Sequence, residues 1–554
     1  MSGLGEVGFF GSQKGDTGGA RAPLGQLALD VEGGATMNRR TVLRHLAMAG
    51  VAAAVALWIG MPASLAGTPV PGGTLRVALT AGAPSLDPHS GTHLAIREIG
   101  LHVFENLLTF DSKFQVVPQL AEKWEVSKDG LTYTFTLRKG VKFHNGREMT
   151  ADDVRASVER FRKIAPRRNE LDDLAKLEVV SPTTVRMTLK QSSASFLAAI
   201  ANPICQLAIL PKEAVEDKPI NKADIIGTGP YKFVEWIPDR WVRIARFADY
   251  KPEGKVDVGG LGGARYAYAD EIRFVPVPEP GARVAGLQTG EYDFADFLPT
   301  PAMPQLTGDR NLRVARLGPQ NYPTVYFNHT GKFKNLKLRQ AVQAALNMDE
   351  IMQVANDGDG RIDPGFYFKE QVWYSAAGGK LYNQKNATKA KQFLKEAGYN
   401  GEPVVFVTNT DYDYMYKAAQ VIQEQLKKVG MNVTLGVYDW PGSLAVRKDM
   451  TKWDLFTSSH STRFDPSAND FYFRAKTTFF GYNNPKMEAL LNKASAATKF
   501  EERYKVYEEV QKLVYDDAVM LKLYDHYTWQ GHSAKLNGYT PWVQVRLWNV
   551  WLAK

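Results

Sequence analysis

Histidine and cysteine are the residues of this 554-residue chain whose spacing could provide metal binding or nucleophilic chemistry. Among nine histidines, only His89 and His93 have the i, i+4 spacing that places two imidazoles on one face of a helix for a metal ion. The Ser-Gly-Thr tripeptide between them forms helices poorly, so a polar loop is the favoured interpretation. Cys205 lies in an apolar stretch and is predicted to be a buried, unreactive thiol.

No sequence motif in the chain indicates catalysis. It contains no GxSxG, HExxH or phosphate-binding loop, and nothing in the sequence joins a Ser, a His and an Asp into a triad. The residues alone therefore indicate no catalytic, metal or cofactor site.

One segment, residues 120–154, predicts local structure in detail; it reads LAEKWEVSKDGLTYTFTLRKGVKFHNGREMTADDV. The Asp-Gly pair ending at Gly130 is a tight-turn signal. Apolar residues alternate with threonines over residues 132–137, which predicts a half-buried strand. Thr150 and Asp153 have the spacing of a capping box, which predicts a helix directly after them.

This segment closely resembles the one that marks extracellular solute-binding protein family 5, the large peptide-, nickel- and opine-binding proteins of ABC importers. Further blocks carry the resemblance along the chain in the order in which the family has them. They lie at 226–237 (IGTGPYKFVEWI), 249–252 (DYKP), 287–294 (LQTGEYDF), 326–351, 389–399, 453–456 (WDLF) and 465–466 (DP).

The resemblance implies an α/β fold, namely a two-lobed periplasmic binding protein (Venus-flytrap) of the large type with an extra subdomain in the first lobe. We expect residues 67–320 to form the first lobe, with the inserted subdomain at about 118–220. Residues 321–510 would form the second lobe, and residues 511–554 would return to the first. The alternation of predicted strands and helices along the chain agrees with α/β lobes.

The family's function is that of a transport receptor. Its lobes close on a small-molecule or peptide ligand, and the inner-membrane ABC permease with its ATPase subunits receives the closed form. For this chain the resemblance implies a monomeric binding protein and not an enzyme, which captures an oligopeptide or an amino-acid-derived, anionic solute without nucleic acid, metal or cofactor. An exported hydrolase is the alternative from another class of protein. A binding protein that has lost import and serves a sensor or chaperone-like partner is a further alternative.

The amino-terminal residues predict export. Residues 38–44 (NRRTVLR) resemble a twin-arginine signal, and the Ala-rich run at 46–59 is shorter than the roughly 20 apolar residues that span a membrane. Small residues predict cleavage after Ala66, so that residues 37–66 are a signal peptide and the mature protein is periplasmic. Residues 1–36 are Gly-rich and are interpreted as an over-called, disordered extension.

Charge and cysteine content bear on nucleic-acid binding and on what stabilises the fold. The formal net charge is +9, with one local basic cluster at Arg160, Arg162, Lys163, Arg167 and Arg168. We interpret this cluster as a solvated face and not as a nucleic-acid site. One cysteine allows no intrachain disulfide, so burial of the 44% apolar residues must hold the fold together.

Two loops supply polar candidates for ligand contact. The resemblance places the loop at 82–89 near the cleft between the lobes, where Ser85 and Asp87 could contact the ligand. In peptide-binding relatives the segment corresponding to 458–465 runs along an extended peptide. Its candidate residues here are Ser459, His460, Thr462, Arg463 and Asp465.

A departure from the family's pattern bears on the ligand. Peptide-binding relatives have an aspartate four residues before the proline of this segment, where it pairs with the ligand's α-ammonium. In this chain that position is Thr462, and Arg463 adjoins it. A buried ammonium without a counter-charge costs several kcal/mol, whereas arginine binds carboxylate, phosphate or sulfonate bidentately. We therefore expect an anionic ligand; the alternative for Arg463 is an ion pair with Asp465 or a surface side chain.

Aromatic residues in non-periodic stretches complete the candidates. Trp373, Tyr438 and Trp440 could stack on a ligand, with core packing as the alternative. If a free amine binds despite the missing anchor, Asp87, Asp439 and Asp465 are the first acids to examine as replacements.

Overall fold

The structure is a computed structural model that describes residues 68–553, except 219, 221, 255–258 and 498. The predicted extension at 1–36 and signal peptide at 37–66 lie outside the described residues, and the twin-arginine and cleavage predictions lie there too. Within the described part, none of the helices combines the length and apolar character needed to cross a bilayer.

Twenty strands are described. They are β1 Thr74–Leu79, β2 Leu108–Phe110, β3 Val116–Pro118, β4 Ala121–Val126, β5 Thr132–Leu137, β6 Leu174–Ser181, β7 Thr184–Leu189, β8 Tyr231–Ile237, β9 Trp241–Arg246, β10 Glu271–Pro276, β11 Phe294–Leu298, β12 Leu312–Phe327, β13 Gly360–Arg361, β14 Val404–Asn409, β15 Val433–Tyr438, β16 Leu455–Ser461, β17 Met520–Lys522, β18 Asp525–Ser533, β19 Leu536–Asn537 and β20 Trp551–Leu552.

Thirteen α-helices are described between these strands. They are α1 Leu94–Val103, α2 Ala151–Ile164, α3 Phe196–Ala201, α4 Pro280–Thr289, α5 Met303–Gly308, α6 Leu336–Ala345, α7 Met348–Ala355, α8 Ala387–Ala397, α9 Asp413–Lys428, α10 Trp440–Arg447, α11 Asp470–Phe473, α12 Pro485–Ala496 and α13 Phe500–Asp516.

The largest sheet in the described residues has twelve strands. Its main path runs β15-β14-β16-β12-β18-β11-β1-β10-β9-β8, with β13 added on β18 and β17 on β12. The 16-residue strand β12 pairs with β18 through its first half and with β16 through its second, so it connects the two ends of the sheet. A separate antiparallel sheet, β4-β5-β7-β6, lies within residues 121–189.

The detailed local predictions are confirmed. Strands β4 and β5 pair across the turn at Gly130, which has φ +70°, the left-handed conformation that favours glycine. Helix α2 begins after Thr150, which forms the predicted capping box with Asp153. Its buried face includes Val158, and the helix ends before the proline at 166. Strand β5 coincides with the predicted half-buried strand at 132–137.

Buried apolar side chains form five clusters in the part of the chain that is described. The buried members of two clusters come only from residues 322–524, which we term the second region. Those of the other three come from residues 75–306 and 536–550, termed the first region, with Phe464 as the one exception. The predicted lobe boundaries fall within β12 and within α13, and they remain predictions.

One charge prediction is wrong. Arg160, assigned to a solvated basic face, is 1% exposed, and its guanidinium forms an ion pair with Asp87, which is fully buried. Nη1 of Arg160 lies 3.0 Å from Oδ1 of Asp87. Burial alone would raise the pKa of Asp87, but its hydrogen bond to Arg160 and the charge of that residue hold the pKa below its ordinary value. The spacing of charges along a sequence gives no sign of a partner 73 residues away.

Loss of this pair should destabilise the fold strongly. Asp87→Ala leaves the Arg160 charge buried and unpaired, so the free energy of unfolding in urea should fall by about 3–5 kcal/mol. Lys163→Ala on the same helix is the matched control, because Lys163 and its partner Asp217 are both more than half exposed. That change should cost less than about 1 kcal/mol. Equal effects of the two substitutions would contradict the structural role given to Asp87.

Candidate ligand-binding site

The loop that follows β16 lies at an edge of the large sheet that suits ligand binding. Strands β14, β15 and β16 are parallel, so their carboxyl ends, at Asn409, Tyr438 and Ser461, face the same edge. Ligands of open α/β sheets bind outside the carboxyl ends of parallel strands. The loop of residues 462–469, here termed the site loop, begins at this edge.

Backbone contacts hold the start of the site loop against β12. The amide of Thr462 donates to the carbonyl of Gln320 at 2.8 Å. Its hydroxyl lies 2.9 Å from the carbonyl oxygens of Pro319 and Gln320. The Thr462 side chain, a predicted ligand contact, is therefore engaged with the protein's own backbone.

A bidentate ion pair holds the middle of the loop. Both oxygens of Asp465 accept from the guanidinium of Arg503 on α13, at 2.5 and 2.6 Å. The same carboxylate accepts from the amide and hydroxyl of Ser467 and caps the 3₁₀ turn Pro466–Asn469. Arg503 is 4% exposed. The alternative considered for Arg463, an ion pair with Asp465, does not occur.

Phe464 joins the two regions. Although it belongs to the site loop of the second region, its ring lies within 4.8 Å of Phe110, 5.3 Å of Phe114 and 6.1 Å of Trp542, measured between centroids. Phe464 is 4% exposed and packs in a core cluster of the first region. Aromatic pairs at such distances add to the stabilisation given by burial alone.

Two cavities flank Phe464 and Asp465, and both are lined by residues of the two regions. Cavity A, about 210 Å³, is lined by Arg167, Asn169, Glu170, Asp173, Ser193, Ser195, Ala198, Ala199, Asn202, Ile204, Arg463, Phe464, Asp465, Ser467 and Ala468. Cavity B, about 350 Å³, is lined by Phe110, Phe114, Gln115, Val116, Ala194, Leu197, Ala198, Val372, Trp373, Phe464, Asp465, Phe500 and Arg503.

The two cavities differ in chemistry. Cavity A carries charged groups from both regions, with Arg463 on one side and the Arg167–Glu170 ion pair on the other. Cavity B is mainly aromatic and apolar, and Trp373, the predicted stacking residue, lines it. The Trp373 ring packs against Phe500 at 4.8 Å, so it is both a core residue and a wall of the cavity.

Arg463 keeps most of its hydrogen-bonding capacity. Its Nε donates to Oδ1 of Asn469 at 3.3 Å, and within the described ranges its guanidinium forms no ion pair. It is also the only predicted cationic ligand contact. A guanidinium that lines a cavity without a carboxylate partner favours an anionic group in that cavity.

His460 lies behind the site loop in a fully buried aromatic cluster. Its Nδ1 lies 3.1 Å from the Tyr322 hydroxyl, its Nε2 contacts the Tyr326 hydroxyl, and its ring stacks on Tyr472 at 4.2 Å. Burial, and then the positive charge of Arg463, hold the pKa of His460 well below its ordinary value. The imidazole is therefore neutral, and it packs behind the site loop. Ser459 donates to the carbonyl of Tyr322 at 3.2 Å.

The remaining candidates lie away from these cavities. Ser85 accepts from the amide of Asp87 at 3.0 Å within its own loop, and neither residue lines cavity A or B. Tyr438, 40% exposed, and Trp440 lie at the sheet edge, where the Trp440 ring packs on Tyr412 at 5.3 Å. Ligand contact by these four predicted residues remains a prediction.

Another cavity, of about 380 Å³, lies entirely among first-region residues that include Glu105, Asp111 and Arg265. A solute there would contact one region only, so it could not hold the two regions together. Among the described residues, no group of three His, Cys, Asp or Glu side chains is placed to bind a metal ion. Cys205 is 2% exposed, and burial raises the pKa of its thiol to about 12.

Sequence reasoning missed four residues of the site. They are Phe464, Arg503, Glu170 and Arg167. Only the fold brings the last three close to the site loop. Phe464 could have been suspected, since it is the one large apolar residue between the polar Thr462-Arg463 pair and Asp465. Arg167 was noticed only as part of the basic cluster.

Comparison with known proteins gives matches over most of the chain. Residues 115–482 match the family described as bacterial extracellular solute-binding proteins, family 5 Middle. The glutathione-binding protein GsiB of Salmonella choleraesuis (strain SC-B67) is 28% identical over 511 residues, which cover 87% of this chain and 94% of that protein.

Two solved structures of similar proteins contain ligands. The oligopeptide-binding protein AppA from Bacillus subtilis, in complex with a nonapeptide, is 26% identical with a TM-score of 0.70, covering 88% of this chain and 100% of AppA. The binding protein AgaA from A. tumefaciens R10, in complex with agropinic acid, is 25% identical with a TM-score of 0.69, covering 87% and 99%. These likenesses confirm the predicted α/β, two-lobed periplasmic-binding-protein fold.

Removal of the Phe464 ring should loosen the contact between the regions. Phe464→Ala removes a buried aromatic residue, a change that costs roughly 3–5 kcal/mol in a core. Because this ring packs between the two regions, its removal should weaken the contact between them. Small-angle scattering of the ligand-free protein should show a larger radius of gyration. Phe471→Ala is the control, because that ring is 43% exposed. An unchanged radius in Phe464→Ala would contradict the joining role.

Proposed function

Since the chain belongs to the bacterial extracellular solute-binding proteins of family 5, we propose that it is the periplasmic receptor of an ABC importer for a peptide-like or amino-acid-derived solute that carries an anionic group. The solute would lie in the cavities beside the site loop. The chain would then act by binding and release and not by chemical turnover.

One observation carries this proposal. Arg463 lines cavity A together with residues of both regions, and in the described residues it has no ion-pair partner. An anionic group bound there would pair with Arg463 while contacting the first region. Such a solute favours the arrangement in which the two regions are close, which is the differential affinity that drives closure.

The relatives support this class of solute. One is named for binding glutathione, and the two solved structures hold a nonapeptide and agropinic acid. A site with a free guanidinium and an adjoining apolar cavity suits molecules of this kind, which combine acidic groups with other polar or apolar parts.

Delivery to the membrane follows from closure. To change a closed-to-open ratio from about 1:99 to 99:1, the solute must favour the closed form by roughly 5.5 kcal/mol. Charge-assisted hydrogen bonds of about 1.5–3 kcal/mol each and ring contacts can supply this preference. We propose that the closed monomer is what the inner-membrane permease and its ATPase subunits recognise.

Export belongs to the same proposal. A twin-arginine signal at 37–66 would direct the folded chain to the periplasm, with the mature protein beginning near Gly67. A binding protein of this kind needs to meet its solute outside the inner membrane.

Native mass spectrometry of the mature chain, purified from its host without unfolding, tests the proposal. We expect one small solute per chain, released on denaturation, with an acidic group in its structure. Added solute should raise the free energy of unfolding by about 2.7 kcal/mol at a concentration of 100 Kd. A chain that carries no solute, and that no acidic or peptide-like compound stabilises, would contradict receptor function.

Binding of the solute's anionic group should depend on Arg463. Arg463→Ala should weaken binding of the co-purified solute by about 1.5–3 kcal/mol, the range for a charge-assisted hydrogen bond. Arg463→Lys should retain part of the affinity, because the charge remains but the bidentate geometry is lost. Isothermal titration calorimetry provides the measurement. Arg474→Ala is the matched control, since Arg474 lies outside both cavities and pairs with Glu488; an equal loss in both alanine variants would exclude the specific role of Arg463.

A further inference from the structure

The carboxylate of Glu170 has one oxygen whose hydrogen-bonding role the fold does not explain. Glu170 lies in the 3₁₀ helix Arg168–Leu171 of the first region and lines cavity A. Its Oε1 accepts from Nη2 of Arg167. Its Oε2 is buried and has no hydrogen-bond partner in the described ranges. A buried acceptor without a donor is destabilising, and such atoms are rare in folded proteins.

The surroundings of Glu170 are those of a binding group. Burial raises the pKa of its carboxyl, and the negative charge of Asp465 adds to the rise. The hydrogen bond and charge of Arg167 and the charge of Arg463 oppose this rise only in part. Arg463 reaches it from the site loop of the second region, so the carboxylate and the free guanidinium belong to the same cavity. A donor that carries a positive charge would supply the missing hydrogen bond and stabilise the ionised carboxylate.

We propose that Glu170 binds the ammonium group of a zwitterionic solute whose carboxylate pairs with Arg463. This inference rests on the proposed receptor function and names the solute class more closely, as an amino acid derivative or peptide with a free amine. The acid that binds the amine is then supplied by the first region. The solute would bridge the two regions through its two opposite charges.

The acids that the sequence suggested for binding a free amine are already engaged. Both oxygens of Asp465 are taken by Arg503. Asp87 is paired with Arg160, and Asp439 caps α10 through the amide of Gly442. The three acids that the sequence suggested as replacements for the missing anchor therefore all have structural partners.

Asp173 is the remaining acid in cavity A. It is partly exposed, and its Oδ1 accepts from Nε2 of Gln191 at 3.1 Å. Glu170 differs from it in having a buried oxygen without a partner.

A capture experiment with pooled peptides tests whether Glu170 binds the ammonium group. The probes are a mixed tripeptide pool with free amino termini and the same pool after N-acetylation, each incubated with the mature chain and read by native mass spectrometry. We expect capture of the free-amine pool and at least a tenfold lower capture of the acetylated pool. Glu170→Gln should lower capture of the free-amine pool at least tenfold. Glu178→Gln is the matched control, because Glu178 lines neither cavity and pairs with Lys176, and it should leave capture unchanged.

The pH dependence separates binding from a merely structural role. Protonated Glu170 cannot pair with an ammonium, so the affinity of the wild-type chain for the captured peptide should fall as the pH is lowered through the raised pKa of this carboxyl. In Glu170→Gln the affinity should be low at all pH values and should lack this dependence. Wild-type measurements alone already test the idea if the variant does not fold.

Three results would contradict the proposal that Glu170 binds the ammonium group. They are equal capture of the free and acetylated pools, full capture by Glu170→Gln, and a wild-type affinity that stays flat on acidification. If the chain instead takes up acidic solutes without an amine, the anchor is wrong while receptor function stands. Capture of no peptide and no acidic solute would overturn both.

Discussion

The bidentate ion pair between Asp465 and Arg503 is the interaction on which the site depends. It holds the site loop to α13, caps the turn that follows, and thereby positions the two side chains that precede Asp465 in sequence. Phe464 is then directed into the aromatic cluster of the first region, and Arg463 lies beside cavity A without an ion-pair partner in the described residues. A buried pair of this kind is costly to break, because loss of one partner leaves an uncompensated charge. The ion pair therefore fixes the position of the site loop at the residues proposed to bind the solute.

Charge is divided between the regions in a way that suits closure. Within cavity A, the first region contributes an ion pair with one unused acceptor, and the second region contributes an unused donor. Neither side offers a complete site for a zwitterion, so such a solute gains its full set of contacts only when the regions approach. This is the differential affinity that a two-state receptor needs. Phe464 adds an apolar contact across the same boundary, which biases the protein towards the closed arrangement before the solute binds.

Sequence reasoning predicted the fold well and the site in part, and the reasons are physical. The hairpin, the capping box and helix α2 behind it follow from local patterns and were confirmed. Arg463 was predicted as a ligand contact because the sequence departs there from a family pattern, and this contact stays a prediction. Arg160 was misjudged, since its partner Asp87 is far away in sequence and only the fold pairs their charges. Glu170 carried no local signal at all, because an unsatisfied oxygen is a property of packing.

Hydrogen exchange of the native chain, with and without its co-purified solute, tests the central claim most directly. The claim is that the solute binds between the site loop and the first-region residues of cavity A. Saturating solute should slow amide exchange at two separate segments together, residues 462–470 and residues 167–173. Protection confined to residues 105–122 and 250–265 would place the solute in the cavity of the first region and contradict the site proposed for it.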